Sequence, residues 1–380
     1  MHETIQLSPA EMARYARHIA IPEFNIEGQK KLKAAKVLVI GSGGLGSPLL
    51  LYLAAAGVGH IGIVDFDEVD ASNLQRQVIF DVNDVGHSKA KTAKKKLAEL
   101  NPHIKVEAYD TALTTDNALE LFEQYDIVAD GTDNFPTRYL VNDACVLTGK
   151  INVYASIFRF EGQVSVFNYL FEDGTRGPNY RDMFPEPPPP GLVPNCAEGG
   201  VLGVLPGIIG SMQANEVIKI ITGVGEPLAG RLFLFDAASF TSRIFKVHKR
   251  ESNVITELIN YEQFCGVLPK EDEAPLKEID VHELKQMITN GADYQLIDVR
   301  EPYEYDIANL GGELIPLQEI VDSEDRIAKD KKVILHCRSG KRSANAIREL
   351  EFKYGLDNLY NLKGGILAWS KEIDDQVLMY

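Results

Sequence analysis

The sequence predicts two α/β domains: a large doubly wound sheet with an antiparallel extension, then a smaller α/β domain. Three observations carry this. Short apolar runs alternate with helical stretches over residues 36–130, the order that builds a mostly parallel sheet covered on both faces. Three later runs alternate apolar and polar residues, as antiparallel strands with one solvated face do. Pro269-Lys-Glu-Asp-Glu-Ala-Pro275 then interrupts the chain, and the α/β alternation starts again. A length of 380 residues accommodates two or three domains.

Taken in order, Lys36-Val-Leu-Val-Ile40 is a buried strand followed by Gly41-Ser-Gly-Gly-Leu-Gly46 and a helix from Pro48 to Ala56. Proline is harmless at a helix start, where its missing N–H would lack a partner anyway. Ile61 to Asp65 is a second strand, His87 to Leu100 an amphipathic helix stopped by Asn101-Pro102, and Lys105–Tyr109 and Asp126–Asp130 two further strands. Gln163–Phe167, Arg231–Phe235 and Arg243–Val247 are the antiparallel candidates. Gly174 to Pro194 holds Pro-Glu-Pro-Pro-Pro-Pro and is expected to be a long connection without regular helix. Val204 to Thr222 reads as a helix ended by Gly223. The boundaries are 1–265, a linker at 266–277, and 278–380. The second domain is expected to hold a helix at 279–290, strands at 294–298, 332–336 and 359–362, and a helix at 342–354.

Charge and composition act by exclusion. Hydrophobic residues make up 45% and charged residues 25%, as in folded globular chains. The net charge is −16. Residues 271–380 carry −9 and the other 270 carry −7, so neither part offers the basic surface that nucleic acid needs. No apolar run reaches the roughly 18 residues of a membrane span. Met1 to Ala10 lacks a secretory apolar core, so a cytoplasmic protein is expected. Cys145, Cys196, Cys265 and Cys337 form no CxxC pair and predict no disulfide framework.

Gly41, Gly43 and Gly46 fit G-x-G-x-x-G between a strand and a helix. Glycines permit the tight turn and close approach of phosphate, and the helix N-terminus favours negative charge. Asp65 ends the next strand, where it can accept from ribose hydroxyls. The loop alone suits NAD as readily as ATP. Asn73, Arg76, Lys89, Asp133 and Asn134 lie after successive strands and favour phosphoryl chemistry, with Mg²⁺ held by a carboxylate such as Asp133. A hydride-transfer site has little use for two cations and two carboxylates around one phosphate chain.

Arg14-Tyr-Ala-Arg17-His, Gly41-Ser-Gly-Gly-Leu-Gly46, Asp65-Phe-Asp67, Ser72-Asn-Leu-Gln-Arg-Gln77, Gly86-His-Ser-Lys89, Asn101-Pro-His103 and Asp130-Gly-Thr-Asp-Asn134 together resemble the MoeB/ThiF/HesA family, relatives of ubiquitin-activating enzymes. The resemblance covers about residues 5–265. It implies a Rossmann-like doubly wound fold and adenylation, with MgATP, of the C-terminal glycine of a small ubiquitin-fold sulfur carrier ending in Gly-Gly. Carried over, Gly41, Gly43, Gly44, Gly46, Asp65, Asn73, Arg76 and Lys89 bind ATP and Asp133 binds magnesium. Arg17 resembles an arginine that reaches the neighbouring subunit's nucleotide, which implies a homodimer. Cys196, in Asn195-Cys-Ala-Glu-Gly-Gly200, resembles a crossover-loop cysteine that in some members bonds covalently to the carrier. Many members also bind a structural zinc through two CxxC pairs. Those positions here read Asn179, Asp182, Glu262 and Cys265, so no such zinc is expected.

Cys337 follows a strand in His336-Cys-Arg-Ser-Gly-Lys-Arg-Ser343 and precedes a helix. Backbone N–H groups and Arg338, Lys341 and Arg342 are expected to ring the thiol and favour its thiolate or persulfide. A phosphatase loop would place arginine where Ser343 stands. This loop, Leu296-Ile-Asp-Val-Arg-Glu301, Tyr303-Glu-Tyr305 and Leu362-Lys-Gly-Gly-Ile-Leu-Ala-Trp369 resemble rhodanese sulfurtransferases over about residues 276–375. Asp298 and Arg300 are expected to order this rhodanese-like domain. The two resemblances imply an enzyme that adenylates a carrier and then transfers sulfur from Cys337, loaded by a sulfane-sulfur donor. Molybdopterin-synthase carrier activation is the leading expectation. Thiamine and tRNA-thiolation carriers, and a carrier thioester on Cys196 without sulfur transfer, stay open.

Overall fold

The computed structural model describes residues 5–188, 199–266 and 276–378. They fall into two compact units, 5–188 with 199–266, and 276–378.

In the first unit, α1 (Pro9–Arg14), α2 (Ala16–Ile19) and α3 (Asn25–Ala34) precede β1 (Lys36–Ile40). Then come α4 (Gly46–Ala56), β2 (His60–Val64), α5 (Lys89–Leu100), β3 (Lys105–Tyr109), α6 (Ala118–Glu123), β4 (Ile127–Asp130) and α7 (Phe135–Leu147). The unit continues with β5 (Ile151–Phe158), β6 (Glu161–Phe167), α8 (Tyr180–Met183), α9 (Leu205–Thr222), β7 (Arg231–Asp236), β8 (Thr241–Lys246) and α10 (Tyr261–Phe264). The strands form one sheet in the order β3-β2-β1-β4-β5-β6-β7-β8. Pairing is parallel from β3 to β5 and antiparallel from β5 to β8. The apolar run of β1 serves both faces: Val37 and Val39 pack with Leu49, Leu53, Ile61 and Leu97, while Leu38 and Ile40 pack with Phe122, Tyr139 and Leu140. That two-sided burial is why the strand reads as continuously hydrophobic.

Several sequence expectations need correction. The helix after the glycine loop begins at Gly46, inside the motif, not at Pro48. The Lys-rich helix begins at Lys89, because the Ser88 side chain accepts from the Lys91 N–H and caps it. Among its described residues, the long connection contains a helical turn, Tyr180–Met183, closed by an Asn179/Asp182 capping box. The strand β5 and the helices α6 and α7 are additions to the expected elements. Phe135–Leu147 carries Pro136 in its first turn under an Asn134 cap, a legible signal.

The second unit contains β9 (Glu278–Ile279), α11 (Val281–Thr289), β10 (Tyr294–Asp298), α12 (Pro302–Ile307), β11 (Glu313–Leu314), α13 (Leu317–Ile320), β12 (Lys332–His336), α14 (Lys341–Tyr354), β13 (Leu359–Leu362) and α15 (Gly365–Glu372). Its sheet runs β11-β10-β12-β13-β9, all parallel. β9 and β11 are two-residue strands and escaped the periodicity reading. The faces of β12 divide the core: Val333 and Leu335 pack with Ile347 and Leu350, and Ile334 packs with Leu296, Leu362 and Trp369. Among the described residues, no helix is long and apolar enough to cross a membrane.

Candidate active sites

The first site lies at the carboxyl ends of β1, β2 and β4, where the strand order reverses. Open α/β sheets form a crevice at such points. Gly41 adopts φ +87°, a left-handed conformation open chiefly to glycine. A Cβ on Gly46 would stand 2.0 Å from the Gly41 carbonyl oxygen, so the loop closes only with glycine there. A Cβ on Gly44 would meet Pro206 at 3.3 Å and the Arg76 side chain at 3.7 Å, and one on Gly43 would meet Gln77 at 3.4 Å. The loop therefore leads directly into the N-terminus of α4, the end of a helix that favours an anion.

Asp65, buried, accepts from the Ser42 N–H at 2.7 Å and the Ser42 hydroxyl at 2.8 Å through one oxygen, Oδ2. Its Oδ1 accepts from the Asp67 N–H at 3.0 Å. Lys89 is only 5% exposed, and its Nζ lies 3.0 Å from Asp67 Oδ2. The Lys89 N–H also donates to the Asp67 carbonyl, at 2.9 Å. Asn73 closes a 3-10 turn over Ala71–Asn73, and its carbonyl accepts from the N–H groups of Arg76 and Gln77. Gly131 abuts Gly41, with 3.1 Å from a Cβ position on Gly41 to the Gly131 carbonyl. Asp133 is exposed on the loop that follows. The structure thus brings together Gly41, Gly43, Gly44, Gly46, Asp65 and Arg76, with Lys89 joined through Asp67 and Asp133 carried on the loop beside Gly41. Arg17 is exposed on α2 and makes no hydrogen bond to this loop among the described residues. Cys196 lies outside the described residues.

Sequence reading missed the residues that hold this set. Asp67 anchors Lys89. Arg138, buried, donates to the Thr132 carbonyl at 3.2 Å beneath the Asp133 loop and lies against the rings of Tyr154 and Tyr180. Burial pushes the neighbouring Asp130 carboxyl up, with Arg138 opposing. Gln213 of α9 donates to the Asp130 and Val153 carbonyls at 2.8 and 2.7 Å. A glutamine inside an apolar helix was the available signal.

Two of the four positions aligned with zinc ligands have other partners. Asn179 and Asp182 form the α8 capping box, and Asp182 also accepts from the Arg250 N–H at 2.9 Å. Glu262 is exposed, and burial pushes the Cys265 thiol up to about 11. Beside them, Asp143 accepts from Arg181 at 2.8 Å and from the Tyr261 hydroxyl at 2.8 Å. Cys145 is fully buried in α7, and burial raises its thiol well above the usual range.

The second site is the turn after β12. Cys337, 1% exposed, accepts at Sγ from the Gly340 N–H at 3.2 Å. Gly340 adopts φ +90°, which turns that N–H back on the sulfur. The start of α15 supports the turn: Ile366 and Leu367 N–H groups donate to the Cys337 and Arg338 carbonyls at 2.9 and 3.1 Å. A Cβ on Gly365 would lie 2.4 Å from the Cys337 carbonyl oxygen. The expected ring of three cations needs correction. Arg342 is buried in a two-point pair with Glu304, at 2.6 and 2.7 Å. Burial opposes ionisation of Glu304, but the Arg342 hydrogen bonds overcome it and lower the carboxyl. Arg338 is half-buried and Lys341 exposed. Asp298 and Arg300 are completely buried and paired at 2.5 Å, and Arg300 also donates to the Ala308 carbonyl at 2.7 Å. The pair ties the end of β10 to the chain after α12.

Comparison with known proteins bears on both sites. The ThiF family model matches residues 15–257, and the rhodanese-like domain model matches residues 280–372. A "Probable adenylyltransferase/sulfurtransferase MoeZ" of Mycobacterium tuberculosis is 51% identical over 381 residues, covering 98% of this chain and 96% of the relative. An "Adenylyltransferase and sulfurtransferase MOCS3" of Drosophila sechellia is 41% identical over 397 residues, covering 99% and 86%. The crystal structure of Escherichia coli MccB with ATP matches 64% of this chain and 73% of its own, with TM-score 0.55 and 23% identity, a likeness of fold.

Proposed function

The chain belongs to the ThiF family and carries a rhodanese-like domain, and on that premise we propose that it adenylates a ubiquitin-fold sulfur carrier and then sulfurates it from Cys337. Its class is adenylyltransferase with sulfurtransferase. The observation that carries the reading is the pairing, in one chain, of two cradles. One is a glycine loop beside Arg76 and near Lys89. The other is a thiol bonded by a turned-back N–H.

The carrier's carboxylate is already ionised, so no side-chain base is needed. Its oxygen attacks the ATP α-phosphorus, the α–β anhydride bond breaks, and pyrophosphate leaves. The loop N–H groups, Arg76 and Lys89 align the two anions and offset their charge. Asp65 orients the ribose, and Asn73 holds the turn that presents Arg76. A magnesium ion suits a single exposed carboxylate plus substrate phosphates, and Asp133 would hold it. Bound there, it would neutralise phosphate charge.

Cys337, loaded as a persulfide by a sulfane-sulfur donor, attacks the acyl carbon through its terminal sulfur, and AMP leaves. A thiol reductant then cleaves the acyl disulfide, which releases the carrier thiocarboxylate and restores Cys337. The same reading takes a homodimer in which Arg17 reaches the neighbouring subunit's nucleotide, and a cytoplasmic location. The carrier assigned first, on the likeness of the motifs to MoeB, is that of molybdopterin synthase.

The test is the intact mass of that carrier after incubation with the protein, MgATP, thiosulfate and a thiol reductant. Replacement of one oxygen by sulfur, abolished by Cys337→Ala, is expected. Conversion that survives Cys337→Ala overturns the sulfur route. Absence of both adenylate and thiocarboxylate across the molybdopterin, thiamine and tRNA-thiolation carriers overturns the reading.

A further inference from the structure

Behind Cys337 runs a chain of buried polar groups that the proposed reaction does not use. Ser343 Oγ, in the first turn of α14, lies 3.5 Å from Cys337 Sγ, 3.2 Å from the Gly340 carbonyl oxygen and 2.8 Å from Asn361 Oδ1. Ser343 and Asn361 are 0% and 3% exposed. The Asn361 amide has its orientation set from the far side, because its Nδ2 donates to Glu278 Oε1 at 3.1 Å. A carboxylate there accepts only, so the amide nitrogen must face Glu278 and the oxygen must face Ser343.

A serine hydroxyl has one proton and two lone pairs. Three acceptors surround Ser343, and the shortest contact is to Asn361. With its proton on that bond, Ser343 presents lone pairs to Cys337, which suits a neutral S–H. An anionic sulfur reverses the preference, since charge-assisted hydrogen bonds are about twice as strong as neutral ones. From this competition we infer that Asn361 is a positioning residue that withholds the Ser343 proton from the Cys337 sulfur and so raises the pH at which the thiolate forms. The inference rests on the reading of Cys337 as the sulfur-carrying residue. Asn361 touches neither sulfur nor carrier; it acts through Ser343.

Among the charged and titratable groups on the elements around this thiol are Arg338 and Lys341 at the turn, and Arg342 of α14 with Glu304 of α12. His336 of β12, Asp298 and the adjoining Arg300 of β10, Tyr360 and Lys363 at β13, and Glu278 of β9 stand on these elements too. The test leaves all of them in place. It measures the pH dependence of Cys337 alkylation by iodoacetamide in the full chain, read by peptide mass, in wild type, Asn361→Leu, Ser343→Ala and the double variant.

The expected midpoint falls by about one pH unit in Asn361→Leu, the scale of one hydrogen bond to a charged group. It rises in Ser343→Ala, and the double variant matches Ser343→Ala because Asn361 acts only through the hydroxyl. Asn361→Ala replaces Asn361→Leu if the latter does not fold, with the same expected direction. A midpoint that is unchanged or raised on loss of the Asn361 amide overturns the inference, as does an Asn361 effect that persists without Ser343. Sulfur loading of wild type by thiosulfate, read as added mass that Cys337→Ala lacks, tests the underlying reading separately.

Discussion

Ser42 gives both its backbone N–H and its hydroxyl to a single oxygen of Asp65, at 2.7 and 2.8 Å. The glycine loop and the end of β2 are thereby tied together before any nucleotide arrives. Asp65 is both a ribose acceptor in the proposed reaction and a strut of the loop.

Asp65→Asn keeps the shape but exchanges an anionic acceptor for a weaker one. We expect the KM for ATP in carrier-dependent ATP–pyrophosphate exchange to rise by about tenfold or more, the scale of a charged hydrogen bond. The kcat should change less. A KM equal to wild type would remove Asp65 from nucleotide binding.

Lys89 is held by Asp67, whose side chain is half-exposed. Lys89→Met should cost stability little, within about 1 kcal/mol, because a half-exposed partner returns readily to water. Exchange should fall by about a hundredfold, the loss typical of one group that stabilises transition-state charge. Unfolding midpoints and exchange rates measured on one preparation separate the two effects.

Arg17 and Lys89 offer a test of the homodimer. If Arg17 serves the neighbouring subunit, Arg17→Ala and Lys89→Met proteins should each be nearly inactive. Mixed and allowed to exchange subunits, they should regain up to about a quarter of wild-type exchange activity, since half the dimers are mixed and one of the two sites in each is intact. Residual activities that merely add after mixing would overturn a role for Arg17 in the neighbouring subunit's site.

His336 is completely buried, and burial pushes its imidazole down to about 4, with Asp298 opposing and Arg300 assisting. An unfolded histidine titrates near 6.5. The unfolded state therefore binds more protons between those values, and stability is lost as pH falls through that window. About 2 kcal/mol should disappear from the second unit between pH 7 and pH 5. Glu304, lowered from its ordinary value by Arg342, loses its contribution as pH falls from the ordinary carboxylate value downward, which lies below this interval. The chain has one tryptophan, Trp369 in the second unit, and its fluorescence follows that unit during urea unfolding. His336→Leu should flatten the dependence, and an equal slope in both proteins would refute the argument.

Much of this was readable before folding, because the signals are local. The glycine spacing of residues 41–46 dictates a tight turn, and Asp65 at the end of a strand lands beside it in a parallel sheet. Cys337 between an apolar strand and a helix had to sit in a turn with free N–H groups. The pairing of cations was not readable. Arg342 follows Lys341 in sequence and reads as part of the thiol's positive ring, yet α12 brings Glu304 to it and takes it away. Lys89 had no visible partner until β2 and α5 set Asp67 beside it. Asn361 met Ser343 because β13 lies next to β12, and met Glu278 because β9 lies next to β13. Turn geometry and strand character arise within a few residues of one chain segment, so the order of amino acids determines them. Which charge meets which, and which hydroxyl proton points where, depends on strands remote in sequence lying side by side, and the sheet order decided that.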